Sequence, residues 1–237
     1  MMMRVVLACL LLAAAAPALA GRFSVAPIRV DFGAGLRIGA VTVTSEDDHP
    51  LVFKNSPSLW TQNADGGDVY TPTSDLVVTP PLLRVETGEP RIVRIGTLRD
   101  PGDVERSYRV FLEEQAPANP EGGGATIAVV IKFGVPVFVA PRSERVAGSA
   151  EIVERKPARI SVQVKNTGNV HFNVETITAN GVALKDVSSW YLLPGTTRRY
   201  DLAIPPEACT GPSVDLRIQA TRTVLSASAA AGDVCQH

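Results

Sequence analysis

A-T-I-A-V-V-I-K-F-G-V-P-V-F-V-A-P, residues 125–141, is a long run of β-branched and aromatic residues entered from the glycine turn Gly122-Gly123-Gly124. Such residues pack well on a pleated, half-buried surface, and their density reads as a strand. Side chains alternate along a strand, so Ile127, Val129, Ile131 and Phe133 share one face, and Ala128, Val130, Lys132 and Gly134 share the other. A strand of this kind is either buried on both faces or an edge strand that offers its odd face to something else. The second arrangement is an aggregation hazard unless a partner covers it. Which of the two holds decides what the protein does.

Upstream, short alternating runs follow one another with turn signals between them. Residues 23–32 (F-S-V-A-P-I-R-V-D-F) alternate, and Pro27, which has no N–H for a ladder, marks an edge or a strand switch. Further strands are expected over residues 40–44, 51–61 (with Trp60), 75–79, 91–95 and 106–113. Residues 116–124 (A-P-A-N-P-E-G-G-G) form the loop into the long strand. About seven short strands at this spacing argue an immunoglobulin-like sandwich.

Pro141-Arg142-Ser143-Glu144-Arg145 reads as a linker, after which the pattern restarts. Strands are expected over 159–164, 171–177, 190–193, 199–204 and 215–220, with turns at Lys165 to Asn169, Asn180-Gly181 and Pro194-Gly195. The Ala- and Ser-rich residues 225–231 could pass for a helix, but they end a β domain. The fold expected is all-β: two immunoglobulin-like β-sandwich domains, residues 21–141 and 142–237, preceded by a signal peptide over residues 1–20. That segment has Arg4, an apolar run from Val5 to Ala16 and the small-residue site Ala18-Leu19-Ala20. As a membrane anchor the apolar run is short.

Lys+Arg (23) and Asp+Glu (24) nearly balance, which gives no electrostatic case for nucleic acid. Cys9 lies in the signal peptide, so Cys209 and Cys235 remain. In an exported chain a disulfide between them is the simplest reading. They have no metal-type spacing and no histidine cluster beside them, and His49, His171 and His237 read as structural or solvated, so no metal site is expected. Gly33 to Gly39 and Gly122 to Gly124 precede no helix and are not phosphate loops. Asp47-Asp48 and Glu113-Glu114 are sequence neighbours, which point opposite ways on a strand. No enzyme, cofactor or small-molecule substrate is expected.

Four segments together resemble the periplasmic chaperones of chaperone–usher pilus assembly, the PapD-like family. They are S-V-A-P-I-R-V (residues 24–30), D-V-Y-T-P-T-S-D-L-V-V-T-P-P-L-L-R-V (68–85), P-R-I-V-R-I-G (90–96) and E-R-S-Y-R-V-F-L-E-E (105–114). The ending Pro136-Val137-Phe138-Val139 is similar to the archaic, spore-coat-U-type branch. The resemblance implies a boomerang of two sandwiches that binds pilin subunits lacking their last strand, lends its own G1 strand to fill the gap, and passes them to an outer-membrane usher. On that reading Ile127, Val129, Ile131 and Phe133 fill the subunit groove, while Ala128 and Val130 pack inward. Arg29 matches the family's first anchor for the subunit carboxylate. The second, a lysine, falls on Pro136, which leaves Lys132, Arg94 and Arg109 as candidates. Glu105 matches an interdomain salt-bridge residue whose arginine partner falls on Ala140. Thr79-Pro80 resembles a cis-proline site. The short loop and the lack of cysteines in the first domain depart from the long-loop branch. A self-capped dimer when free is left open, and so is a different class of protein, a structural or carbohydrate-binding periplasmic one.

Overall fold

The computed structural model describes residues 22–33, 35–116 and 129–235. The first half forms β1 (Phe23–Ala26), β2 (Val30–Phe32), β3 (Ile38–Ser45), β4 (Leu51–Gln62), β5 (Asp68–Pro72), β6 (Leu76–Thr79), β7 (Leu82–Val85), β8 (Pro90–Thr97), β9 (Arg106–Glu114) and β10 (Lys132–Val139). One sheet has the order β1-β3-β8-β6. The other runs β2-β10-β9-β4-β5, with β7 also on β4. Residues 23–32 are therefore not one strand. They change sheets at Pro27, whose peptide bond with Ala26 is cis, as is Thr79-Pro80. Past the switch, β2 pairs parallel with β10, Val30 against Val137.

The core lies between the sheets. Val41, Val43, Val93 and Ile95 from one meet Phe53, Tyr108, Val110, Leu112, Val135 and Val137 from the other. The buried Tyr108 hydroxyl needs a partner and donates to Asp75 Oδ2 (2.9 Å), which ties the sheets together at one end.

The second half forms β11 (Gly148–Lys156), β12 (Arg159–Asn166), β13 (Phe172–Ala179), β14 (Val182–Ala183), β15 (Tyr191–Leu192), β16 (Thr197–Ala203), β17 (Ser213–Ala220) and β18 (Val224–Ala230). They make the sheets β11-β12-β16 and β14-β13-β17-β18, with β15 on β13. The chain is thus two β-sandwiches. Asn180 and Gly181 both take positive φ (47° and 85°) between β13 and β14, the conformation a two-residue hairpin demands and Asn-Gly supplies. The Ala- and Ser-rich stretch is strand β18, paired along its length with β17.

Cys209 and Cys235 form a disulfide, 26 residues apart in sequence. Closing a loop of that size is worth about 3 kcal/mol in the chain-entropy model. Replacing both cysteines by alanine is expected to lower unfolding stability by about that amount in a denaturant titration. An unchanged midpoint would show that the bridge adds nothing to the packed β17–β18 edge.

Candidate functional site

The odd row of the long strand divides in two. Val135, Val137 and Val139 are buried in the first sandwich's core. Phe133 packs half-buried at its edge, 6.3 Å edge-to-face from the Phe23 ring. Phe133 thus shares its half-open place with the edge of the protein's own core in the free chain. Upstream the same row runs past the core. Val129 is 46% exposed and lies outside the regular strand. Ile131 is half-buried; its carbonyl accepts the Glu114 N–H (2.9 Å) and its own N–H donates to Glu114 Oε2 (3.1 Å). Val130, expected to pack inward, is 48% exposed. Among the described residues the regular strand begins at Lys132; residues 125–128, with Ile127 and Ala128, and the glycine turn lie outside them.

A second group of candidates gathers where the sandwiches meet. On β9, Tyr108, Val110 and Leu112 point into the core and Arg109 points the other way. Yet Arg109 is only 6% exposed, because the second sandwich covers that end of the sheet. Its strand neighbours in register are Pro136 on β10 and Ser58 on β4. Arg109 therefore stands directly beside the position to which the family's lysine was assigned. Gly134 makes room for it: a Cβ there would lie 3.4 Å from Arg109 Cδ and 3.1 Å from the Phe111 ring. Arg109 Nη1 donates to the Gly134 carbonyl (2.9 Å), and Cζ sits 4.1 Å from the Trp60 ring centre, 5.4 Å from Trp190 and 5.9 Å from Tyr191. Tyr191 also borders Arg29. Burial works against the Arg29 charge, but Asp31 (Nε to Oδ2, 2.8 Å) and the Tyr191 hydroxyl outweigh it, and the guanidinium is raised above its ordinary value. Two guanidinium groups thus flank one tyrosine.

Beside them opens a cleft of about 530 Å³ between the sandwiches, lined by Arg29, Asp31, Glu105, Phe138, His171 and Arg222 among others. Glu105 Oε1 accepts both the His171 backbone N–H (3.1 Å) and a contact from its ring Nδ1 (2.8 Å), and both side chains are buried. The His171 ring stacks on Phe138 at 3.8 Å. The interdomain partner of Glu105 is therefore a histidine from the second sandwich, in place of the arginine missing at Ala140.

The remaining candidates are elsewhere. Arg94 is on β8, opposite Ala40 and Thr79, exposed on the outer face of the other sheet, so its strand assignment removes it from the cleft. Lys132 is on the sheet face that carries Arg109 but further along it. It is exposed, 3.4 Å from Glu113 and over the Phe111 ring at 4.6 Å.

The family model described as pili and flagellar-assembly chaperone, PapD N-terminal domain, matches residues 22–144. The chain belongs to this family. It is a family of chaperones, not of enzymes. No curated protein sequence matches the chaperone. Its fold is shared with several solved structures. One is the crystal structure of the CsuC–CsuE chaperone–tip adhesion subunit pre-assembly complex from archaic chaperone–usher Csu pili of Acinetobacter baumannii. It is 15% identical with a TM-score of 0.65, over 87% of this chain and 97% of that one. The Salmonella enterica SafA pilin–SafB chaperone complex matches at 19% identity and TM-score 0.58, over 90% and 98%. The periplasmic chaperone SfaE matches at 14% and 0.55, over 86% and 99%.

Sequence reading missed the residues that enclose Arg109. Asp68 accepts from Trp60 Nε1 (2.9 Å), Gln62 Nε2 (3.0 Å), the Tyr70 hydroxyl (3.0 Å) and Trp190 Nε1 (2.9 Å). Trp60, Phe138 and Leu193 form a buried cluster with Tyr191 packed on it, and Gln62 Nε2 also donates to the Tyr191 carbonyl (2.8 Å). One signal was available: the chain has two tryptophans, and both are here.

Proposed function

We propose that the protein is a periplasmic chaperone that binds pilin subunits by donating the strand around Val129 and Ile131 to their open groove, and that hands them to an outer-membrane usher. The observation that carries the reading is the odd apolar row that continues, half-open, past the edge of the protein's own core at Phe133. Strand addition of this kind draws affinity from main-chain hydrogen bonds and specificity from alternate side chains, and chaperone–pilin complexes are a known case. Fully burying an aliphatic side chain is worth about 1.5–3 kcal/mol, so Val129 and Ile131 supply roughly 3–6 kcal/mol before ordering costs. Ile127 would add to this row.

The subunit's C-terminal carboxylate is assigned to Arg29 and Arg109. A guanidinium offers a carboxylate two parallel N–H donors, and these two cations border the same tyrosine at the domain junction. The CsuC–CsuE and SafA–SafB structures are complexes of a chaperone with a subunit, which supports assigning such a partner here.

The test is co-expression in a periplasm with a small, Gly-rich exported subunit encoded beside this chain, followed by co-purification. The wild type is expected to hold the subunit and Arg29→Ala/Arg109→Ala to lose most of it. If neither retains any subunit, the chaperone reading loses its support. If both retain it equally, binding is real and the carboxylate assignment is wrong.

A further inference from the structure

We infer that Trp190 and Asp68 are positioning residues for Arg109, so that the second sandwich completes the carboxylate anchor contained in the first; this rests on the reading of Arg109 given above. Arg109 is 6% exposed, and among the described residues its Nε and Nη2 atoms have no hydrogen-bond partner. A guanidinium carries five N–H donors, and a buried one normally has them met by acceptors. Here Nη1 donates to the Gly134 carbonyl and the rest of the group is met by ring faces. Trp60, Trp190 and Tyr191 all lie within the roughly 6 Å over which a ring quadrupole attracts a cation. Ring faces hold a guanidinium without engaging its in-plane N–H edge. Arg109 is thereby fixed with donors left over; they are buried, so a carboxylate that displaces a wall of the cage meets them without first breaking an ion pair.

What holds the rings is Asp68. Its Oδ1 accepts from Trp60 and its Oδ2 from Trp190, and Gln62 and Tyr70 occupy the remaining acceptor capacity. An ionised carboxylate has about four lone-pair sites, so these uncharged donors engage it fully and leave Arg109 outside its hydrogen bonds. Trp190 is 122 residues from Asp68 in the chain and comes from the second sandwich. Loss of the Trp190 ring would remove one wall of the cage and leave the guanidinium free to swing. The Tyr70 hydroxyl feels the same cation: burial raises its pKa, and Arg109 opposes that rise.

The full mature chain would be titrated by calorimetry with a synthetic twelve-residue peptide of alternating Val and Thr, as the free acid and as the C-terminal amide. The quantity read is the ratio of the two dissociation constants, which a merely structural role would not move. The wild type is expected to favour the acid by a factor of about ten or more, the worth of one charge-assisted hydrogen bond. Trp190→Leu and Asp68→Asn are expected to bring the ratio toward one, and Trp190→Phe, which restores a ring, to recover most of it. Asp68→Asn is isosteric and carries the test if Trp190→Leu does not fold. If Arg109→Met abolishes the preference while Trp190→Leu and Asp68→Asn keep it, the positioning role is overturned and the anchor stands. A wild-type ratio of one, absence of peptide binding, or a ratio unmoved by Arg109→Met overturns the anchor itself.

Discussion

Replacing Val129 and Ile131 together by glutamate is expected to abolish subunit capture while leaving the free protein folded. Val129 is half-open and Ile131 half-buried in the free chain, so neither change creates a cavity in the first sandwich. In the complex both side chains would enter an apolar groove. The loss is then the apolar burial of two aliphatics plus the cost of desolvating two unpaired carboxylates, together well above about 5 kcal/mol, or at least four decades of affinity. The decisive control is Val130→Glu. Val130 and Val129 are equally exposed in the free protein, 48% and 46%. A surface that was merely sticky would suffer as much from either change. Strand addition reads alternate residues, so Val130→Glu is expected to retain most of the subunit in the same co-purification. Equal loss from Val129→Glu and Val130→Glu would rule out a groove read with period two.

The second large effect concerns the joint between the sandwiches. Glu105 is a buried carboxylate whose bonded ring partner is His171, and both Glu105 bonds to His171 cross from one sandwich to the other. Removing one partner of a buried pair leaves an uncompensated charge and typically costs about 3–5 kcal/mol. His171→Phe keeps the aromatic stack on Phe138 and removes only the ring nitrogens, so it isolates this interaction. Its unfolding midpoint is expected to fall by roughly 10 °C for a chain of this size. Combining it with Glu105→Leu should return part of the loss, because the double variant no longer buries a lone carboxylate. A midpoint within 1 °C of wild type for His171→Phe would show that the pair is incidental to the joint.

Much of the fold can be read from local pattern. Residues 159–164 alternate and form part of β12, Asn180-Gly181 makes its hairpin, and Pro27 interrupts a strand where it changes sheets. The expected donor segment was legible as an apolar row, but not the point at which that row leaves the core. That point depends on how far β9 and β4 extend beneath it, which no property of residues 125–141 encodes. The cations show the same limit. Arg94 and Arg109 both sit in alternating strands with apolar neighbours, and only strand order separates them: β8 presents Arg94 on one outer face, whereas β9 sets Arg109 beside Pro136 under the second sandwich. The joint is the least legible part. Glu105 meets His171 across 66 residues and Asp68 meets Trp190 across 122, and such pairings follow from domain packing, not from spacing.

Strand donation requires Val129 and Ile131 to become part of a strand within the subunit. Amide hydrogen exchange on the purified chaperone, free and subunit-bound, measures this directly. Because the Ile131 N–H is already turned to Glu114, the Val130 amide is the one expected to exchange readily in the free protein and to become protected by about a hundredfold or more in the complex, as fully paired strand amides are. Unchanged exchange there, with new protection along another edge such as β6 or β5, would contradict it and move the subunit to a different face of the first sandwich.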